Sequence, residues 1–251
     1  MNLLAIDAAC SILSIAVSID NEILYTDTDA GTKHSEIVMD NIDSLMKKAS
    51  LKPQALDGVL CMGGPGSFTG LRIGYSITKG LAISLSIPFI PIPTLDCIMY
   101  QLQIKNEHDE KKHRITYGEQ SSINSEKREL ILAVIEARKD AFFYAFFRNG
   151  ERLTPDADGT TGQIAELIKN TDKSKKITVT GPASFLFYNA LPPEIRDGIT
   201  LNDENRGYAK ELILIAKDKD LFNNDNSAYL YKGPEYIRKT EAELSQNKFQ
   251  A

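Results

Sequence analysis

The sequence lacks a long uninterrupted apolar run. Its longest, ELILAVIEA and LAISLSIPFIPIP, are short or broken by proline, whereas a membrane-spanning helix needs about 20 apolar residues. The opening MNLLAID has no basic stretch followed by an apolar one and a small-residue cleavage site, and it is typical of a first strand. We therefore expect a cytoplasmic protein with no membrane partner.

Cysteines and clusters of basic residues are also scarce. Cys10, Cys61 and Cys97 are odd in number, lie far apart and form no CxxC pair, which argues against a disulfide framework or a zinc site and favours buried thiols. The formal net charge is −5, and no group of lysines and arginines is interleaved with aromatics. Tight binding of nucleic acid by this chain alone is thus disfavoured.

The remaining composition is that of a globular protein. The chain has 251 residues, of which 42% are hydrophobic and 25% charged, enough for one large domain or two modest ones. One segment, residues 105–128, is polar throughout and has no apolar periodicity, and we predict a flexible inter-lobe loop there. It divides the chain into an N-terminal lobe, 1–104, and a C-terminal lobe with a tail, 129–251. Two histidines within it, His108 and His113, are more typical of solvated loop residues than of metal ligands.

The two sides of that loop repeat one pattern. LLAIDAACSILSIAVSIDNEIL and ILAVIEARKDAFFYAFFRNGERL align without a gap at an offset of 129 (136 − 7), which places Asp7 on Glu136. Each half predicts three strands with turns at Asp20-Asn21 and Asn149-Gly150. A helix and a strand ending in Gly-Pro follow in both halves, at Gly64-Pro65 and Gly181-Pro182. An internal duplication of β-β-β-α-β-α lobes explains the shared order.

This α/β unit resembles the superfamily of actin, the sugar kinases and the heat-shock ATPases, which has a ribonuclease H-like architecture. The resemblance implies a nucleotide in the cleft between lobes, with an acid on the first strand and a glycine-rich turn around phosphate. Asp7 and Ser11 occupy the corresponding positions as vestigial cofactor-binding residues. The intervening turn, Ala8-Ala9-Cys10-Ser11, has no glycine to bring backbone N–H groups close to a phosphate. A stand-alone ATPase or kinase is therefore the alternative function.

The stretch GGPGSFTGLRIG, residues 63–74, does not match several glycine-containing functional motifs. A P-loop needs lysine where Leu71 stands, and a dinucleotide fingerprint needs glycine where Thr69 stands. A nucleophile elbow around Ser67 needs glycine in place of Pro65. What remains is a strand, a glycine turn and a helix for which Ser67 is a good N-cap.

That helix carries a stripe of small residues, namely Gly70, Gly74, Thr78 and Ala82. Each interior glycine costs about 1 kcal/mol relative to alanine, so close approach of another element has to compensate. The approaching element is either a partner subunit or this chain's own sheet or first helix. We expect the partner.

Several motifs together resemble the TsaB (YeaZ) family: GGPGSFTGLRIG followed by TKGLA, AIDAAC before it, KHSEIVMDNIDSLMKKA, IEARKDAFFYAFF and a terminal PEYIR. The resemblance implies a non-catalytic dimerisation subunit of the bacterial machinery that transfers threonylcarbamoyl to the adenosine beside the tRNA anticodon. Its implied partners are the catalytic paralogue TsaD, the ATPase TsaE and, when alone, a second copy, with tRNA bound only through the complex. The paralogue's HxxxH metal motif is replaced here by Thr94-Leu95-Asp96-Cys97. Ala8 stands at the position after the acid of the first strand, where the family usually has Thr.

No catalytic residue, metal or cofactor is expected, although the binding of a nucleotide at the partner interface is left open. A further alternative function is that of an inactive glycoprotease-like homologue. The helix 67–82 and the helix 34–49 are expected to form the partner surface. The residues assigned to it are His34, Ile37, Val38, Gly66, Ser67, Phe68, Thr69, Gly70, Leu71, Arg72, Gly74 and Thr78.

Overall fold

A computed structural model describes residues 1–20, 22–31, 33–104, 129–138, 140–171, 176–204 and 206–237. The inter-lobe loop predicted at 105–128 lies outside the described residues. No helix in the described part of the chain is long and apolar enough to cross a membrane.

The N-terminal half forms a five-stranded sheet. Its strands are β1 (Leu3–Asp7), β2 (Ile12–Ile19), β3 (Glu22–Asp29), β4 (Gly58–Gly64) and β5 (Phe89–Pro93), in the order β3-β2-β1-β4-β5. Strand β1 is antiparallel to β2 and parallel to β4. Both β1 and β4 are buried along their whole length, as expected for strands covered on both faces.

The second sheet repeats this topology. It contains β6 (Leu130–Arg138), β7 (Ala141–Arg148), β8 (Glu151–Arg152), β9 (Ala157–Thr160), β10 (Ile177–Thr180) and β11 (Ile199–Asn202). Its strand order is β11-β10-β6-β7-β8, and β9 also pairs with β7. Read in reverse, β8-β7-β6-β10-β11 corresponds strand by strand to β3-β2-β1-β4-β5 of the first sheet. The predicted duplication into two mixed α/β lobes is confirmed.

The glycines of the two predicted Gly-Pro turns have the same positive φ. Gly64 and Gly181 have φ of +112° and +111°, a region that side chains other than glycine rarely adopt. A Cβ on Gly181 would lie 2.4 Å from the Val134 carbonyl oxygen. A Cβ on Gly64 would instead lie 2.5 Å from the Glu235 carbonyl oxygen. Both positions therefore require glycine, although a different segment approaches each of them.

The helices cover both sheets and fill the space between them. They are α1 (His34–Lys48), α2 (Phe68–Leu85), α3 (residues 94–104), α4 (Thr161–Lys169), α5 (Ser184–Ala190), α6 (Pro193–Arg196) and α7 (Ala209–Asp218). Helices α1 and α2 share an apolar cluster with the outer face of the first sheet, and α4 and α5 share one with the second. Helices α3 and α7 form a single core with the inner faces of both sheets.

The C-terminal part of the chain crosses back to the first lobe. Helix α7 packs on β1, β2 and β4, and Lys217 Nζ donates a hydrogen bond of 2.7 Å to Ser18 Oγ. The division into lobes 1–104 and 129–251 stays a prediction, and α7, from the second part of the sequence, packs against the first sheet. Its apolar face matches the inner face of the first sheet, and the sequence alone does not reveal which sheet a helix covers.

Candidate subunit interface

Helices α1 and α2 lie side by side on the outer face of the first sheet. Helix α1 buries Val38, Ile42, Leu45 and Met46 together with His34. Helix α2 begins where the sequence predicted, with the Gly70 N–H donating to Ser67 Oγ at 3.2 Å. It continues beyond Ala82 to Leu85 and ends at Ser86, whose φ of +54° reverses the chain.

The small-residue stripe of α2 faces the chain's own sheet. A Cβ on Gly70 would lie 1.8 Å from the Ala8 carbonyl oxygen, and one on Gly74 would lie 3.7 Å from Cys61 Cβ. Thr78 and Ala82 are 0% and 2% exposed. The expectation that this stripe meets a partner is wrong, because the missing side chains let α2 approach β1 and β4 instead.

The outward face of α2 and the adjoining face of α1 enclose a groove of about 490 Å³. It is lined by Ser35, Val38, Met39, Phe68, Thr69, Arg72, Ile73, Ser76 and Ile77. Met39 and Phe68 are large apolar side chains that are 55% and 38% exposed. The described part of the chain therefore has an open, largely apolar surface between these two helices.

Only four of the predicted interface residues line this groove, namely Val38, Phe68, Thr69 and Arg72. Leu71 is buried with the stripe, and Ile37 is half-buried. A Cβ on Gly66 would meet the Ala9 carbonyl oxygen at 2.7 Å. His34 and Ser67 line the cleft between the lobes.

The remaining groove residues were not predicted. For Ile73, Ser76 and Ile77 the signal was their spacing with residues 69 and 72, which is that of a second helical face beside the glycine stripe.

An aromatic and cationic cluster forms one rim of the groove. The Arg72 guanidinium carbon lies 3.8 Å from the centre of the Phe68 ring, and Tyr236 packs on Phe68 with ring centres 4.9 Å apart. Arg72 Nε donates a hydrogen bond of 3.1 Å to Tyr236 Oη. Tyr236 of the PEYIR motif thus lies against the start of α2, a contact that spans 164 residues of sequence.

Three further hydrogen bonds tie this C-terminal segment, residues 230–236, to the first lobe. Lys79 Nζ donates to the carbonyl oxygens of Leu230, at 2.9 Å, and of Lys232. The Glu235 N–H donates to the Gly63 carbonyl oxygen at 2.9 Å. The segment therefore holds both the glycine turn and the middle of α2.

A cleft of about 640 Å³, the inter-lobe cleft, lies between the two lobes. Ser11 lines it, but Asp7, the other predicted cofactor-binding residue, does not. The Asp7 side chain is 1% exposed, and its two carboxylate oxygens accept hydrogen bonds of 2.9 Å from the N–H groups of Ala9 and Tyr208. Burial raises the pKa of Asp7 to about 6, against the lowering effect of these two bonds. Asp7 thus holds the start of α7 to β1.

No group of three or more His, Cys, Asp or Glu side chains in the described ranges could hold a metal ion. Cys61 and Cys97 are buried free thiols and Cys10 is a half-buried one. Burial raises the pKa of the Cys61 thiol to about 12. These cysteines are packing residues rather than metal ligands or nucleophiles.

Comparison with known proteins identifies the family. The family model described as TsaD, tRNA N6-adenosine threonylcarbamoyltransferase, matches residues 25–187. A tRNA threonylcarbamoyladenosine biosynthesis protein TsaB of Bacillus subtilis (strain 168) is 25% identical over 251 aligned residues, which cover 97% of this chain and 96% of that one. The chain belongs to the TsaB/YeaZ family, which is related to TsaD.

Further relatives agree with this assignment. A tRNA N6-adenosine threonylcarbamoyltransferase of Chlorobaculum tepidum is 24% identical over 182 residues, covering 66% of this chain and 50% of that enzyme. The crystal structure of YeaZ from Pseudomonas aeruginosa has the same fold, with a TM-score of 0.69, 19% identity and coverage of 94% of this chain and 99% of that one. This TsaB homologue therefore shares its architecture with YeaZ over nearly its whole length.

Proposed function

We propose that this chain is a non-catalytic subunit of a complex that transfers threonylcarbamoyl to the adenosine beside the tRNA anticodon. Its partner is a TsaD-like catalytic paralogue, joined by a TsaE-like ATPase, and tRNA binds only through the complex. In the absence of the paralogue, a second copy of the chain takes its place. The observation that carries this proposal is the open groove between α1 and α2.

The groove has the composition of a protein contact. Its floor is formed by Val38, Ile73 and Ile77, and its rim has the Phe68–Arg72–Tyr236 cluster. Aromatic residues and arginine surrounding an apolar centre are typical of the residues that dominate binding energy in interfaces. A TsaD-like paralogue has related α1 and α2 helices, so two such pairs can pack with approximate two-fold symmetry.

The alternative, a stand-alone ATPase or kinase, is favoured by the fold and by Asp7 on β1. It is disfavoured by the local chemistry, because both oxygens of Asp7 accept backbone hydrogen bonds and the turn at Ala8 has no glycine. We expect the purified chain to hydrolyse no ATP. ATP turnover by the chain alone that disappears in an Asp7→Ala variant would establish the alternative.

The interface proposal is tested with Met39→Glu, which places a charge in the groove on an exposed side chain. Leu167→Glu on α4 is the matched control, since Leu167 is 44% exposed in the other lobe. Calorimetry with the TsaD-like paralogue should show at least a tenfold loss of affinity for Met39→Glu, about 1.4 kcal/mol, and none for the control. Both variants should melt at the wild-type temperature.

The same variants are then tested in tRNA threonylcarbamoylation reconstituted with the TsaD-like and TsaE-like proteins. Met39→Glu should lower the rate at limiting subunit concentration, and excess subunit should restore it. Wild-type affinity of Met39→Glu, or an equal loss with Leu167→Glu, would show that the groove is not the interface.

A further inference from the structure

The rim of the groove contains an arginine whose charge no described residue balances. Of the described residues that line the groove, Arg72 alone is charged, and its side chain is exposed. No ion pair joins it to an Asp or Glu in the described ranges. We propose that Arg72 binds a carboxylate side chain of the TsaD-like paralogue and that Tyr236 positions the arginine for it. This inference rests on the proposed subunit role.

Two aromatic residues hold the guanidinium of Arg72 in one orientation. Its central carbon lies 3.8 Å from the centre of the Phe68 ring and 5.9 Å from that of the Tyr236 ring, within the range of cation–π attraction. Its Nε donates a hydrogen bond of 3.1 Å to Tyr236 Oη. A long side chain that a partner has to immobilise loses rotamer entropy on binding. Here that entropy is already lost when the chain folds.

The contacts of Arg72 leave its terminal N–H groups to a partner. Only Nε is bonded to Tyr236, and Nη1 and Nη2 have no hydrogen-bond partner in the part of the chain that the structure describes. A guanidinium donates two parallel N–H bonds to a carboxylate, and such bidentate pairs are among the stronger hydrogen-bonded contacts. The rim therefore has the donors that an acidic side chain needs.

Covering the groove makes such an acceptor necessary. The floor of the groove is apolar, with Val38, Ile73 and Ile77, so a partner that fills it also removes water from Arg72. A cation that loses its water without gaining an acceptor opposes binding strongly. A partner that places an Asp or Glu beside Arg72 avoids this loss and is therefore selected over one that does not.

A protein carboxylate fits this position better than a phosphate of tRNA. Nucleic-acid backbones carry repeated charges and are bound by several Lys and Arg side chains together. Arg72 lies instead among apolar and hydroxyl side chains of the groove. A single cation on an apolar surface is complementary to a single acid in a protein contact.

The test is calorimetry of the chain with the TsaD-like paralogue, using variants that melt at the wild-type temperature. Arg72→Gln should lose about tenfold or more in affinity, and Arg72→Lys, which keeps the charge but not the planar fork, should lose severalfold. Lys48→Gln removes an exposed cation at the far end of α1 and should lose none. Equal affinities of Arg72→Gln and Lys48→Gln would overturn the proposal.

Double-mutant cycles then identify the acidic residue of the partner. Each exposed Asp or Glu of the paralogue is changed to Asn or Gln and is measured against the wild-type chain and against Arg72→Gln. One of these changes should weaken binding to the wild type and have no further effect with Arg72→Gln. If no acidic residue couples to Arg72, the group that it binds is not a carboxylate and the proposal is wrong.

Tyr236→Phe tests the positioning role, because it keeps the ring on Phe68 and removes only the hydroxyl group. We expect a loss of about threefold to tenfold in affinity, as for one hydrogen bond, and no loss when Arg72→Gln is already present. A packing role alone would give the same effect in both backgrounds. Equal losses would therefore contradict the assignment of Tyr236.

The Met39→Glu variant distinguishes failure of this inference from failure of the subunit role. If Met39→Glu weakens binding and Arg72→Gln does not, the groove is the interface but Arg72 meets no acid there. If neither variant weakens binding, the groove is not the interface and both proposals fail. Binding of tRNA by the chain alone that disappears with Arg72→Gln would assign the arginine to a phosphate and overturn the inference.

Discussion

Helix α2 contains three glycines whose surroundings differ, and this allows its packing to be measured one Cβ at a time. Replacing a helical glycine with alanine stabilises by about 1 kcal/mol where space permits. A Cβ on Gly80 meets no described atom within 4 Å, and one on Gly74 makes an ordinary contact at 3.7 Å. We therefore expect Gly80→Ala to raise the melting temperature by about 2–4 °C, as for a chain of this size, and Gly74→Ala to be neutral or stabilising.

Gly70→Ala should behave in the opposite way. Its Cβ would lie 1.8 Å from the Ala8 carbonyl oxygen, a backbone atom that moves only if α2 and the end of β1 separate. Overpacking of this kind costs about 3 kcal/mol or more, which exceeds the gain of about 1 kcal/mol in helix propensity. A net loss of about 2 kcal/mol corresponds to a melting temperature about 4–8 °C below wild type.

Thermal unfolding followed by circular dichroism at 222 nm measures all three variants, with Gly80→Ala as the control in the same helix. The ranking Gly80→Ala, Gly74→Ala, wild type, Gly70→Ala is expected. If Gly70→Ala melted at or above the wild-type temperature, α2 would not be packed closely on β1. The stripe would then be available to a partner after all.

Two further predictions concern the contacts of the C-terminal part of the chain. Because burial raises the pKa of Asp7 from 3.8 to about 6, its contribution to the free energy of unfolding should fall by roughly 3 kcal/mol as pH rises from about 4 to about 6, and stay level above that. Urea unfolding across that range should show the wild type losing stability relative to Asp7→Asn; a constant difference would contradict this. Lys79→Ala should lower the free energy of unfolding by about 1–3 kcal/mol and expose the segment after Leu230 to protease, since a charged donor to two carbonyl groups is lost. Lys48→Ala is the surface control. Protease cleavage at the wild-type rate would show that the other contacts of this segment are sufficient to hold it on the first lobe.

Local features of the fold could be predicted because they depend on neighbouring residues. Ser67 is recognised as an N-cap by its oxygen and by the helix that follows it, and the Asn149-Gly150 turn by residues that accept positive φ, +52° and +81° in the structure. The repeated strand order follows from the internal repeat. Motif resemblance in the glycine stretch led to the family.

Which element buries the small-residue stripe of α2 was decided only by the tertiary structure. Gly70 and Gly74 indicate close packing, but glycine carries no information about which element approaches, and here it is Ala8 and Cys61 of the chain's own sheet. Tyr236 reaches Arg72 across 164 residues, a pairing that no local pattern encodes. Periodicity along a helix records which residues are buried, whereas the element that buries them depends on contacts between distant segments of the folded chain.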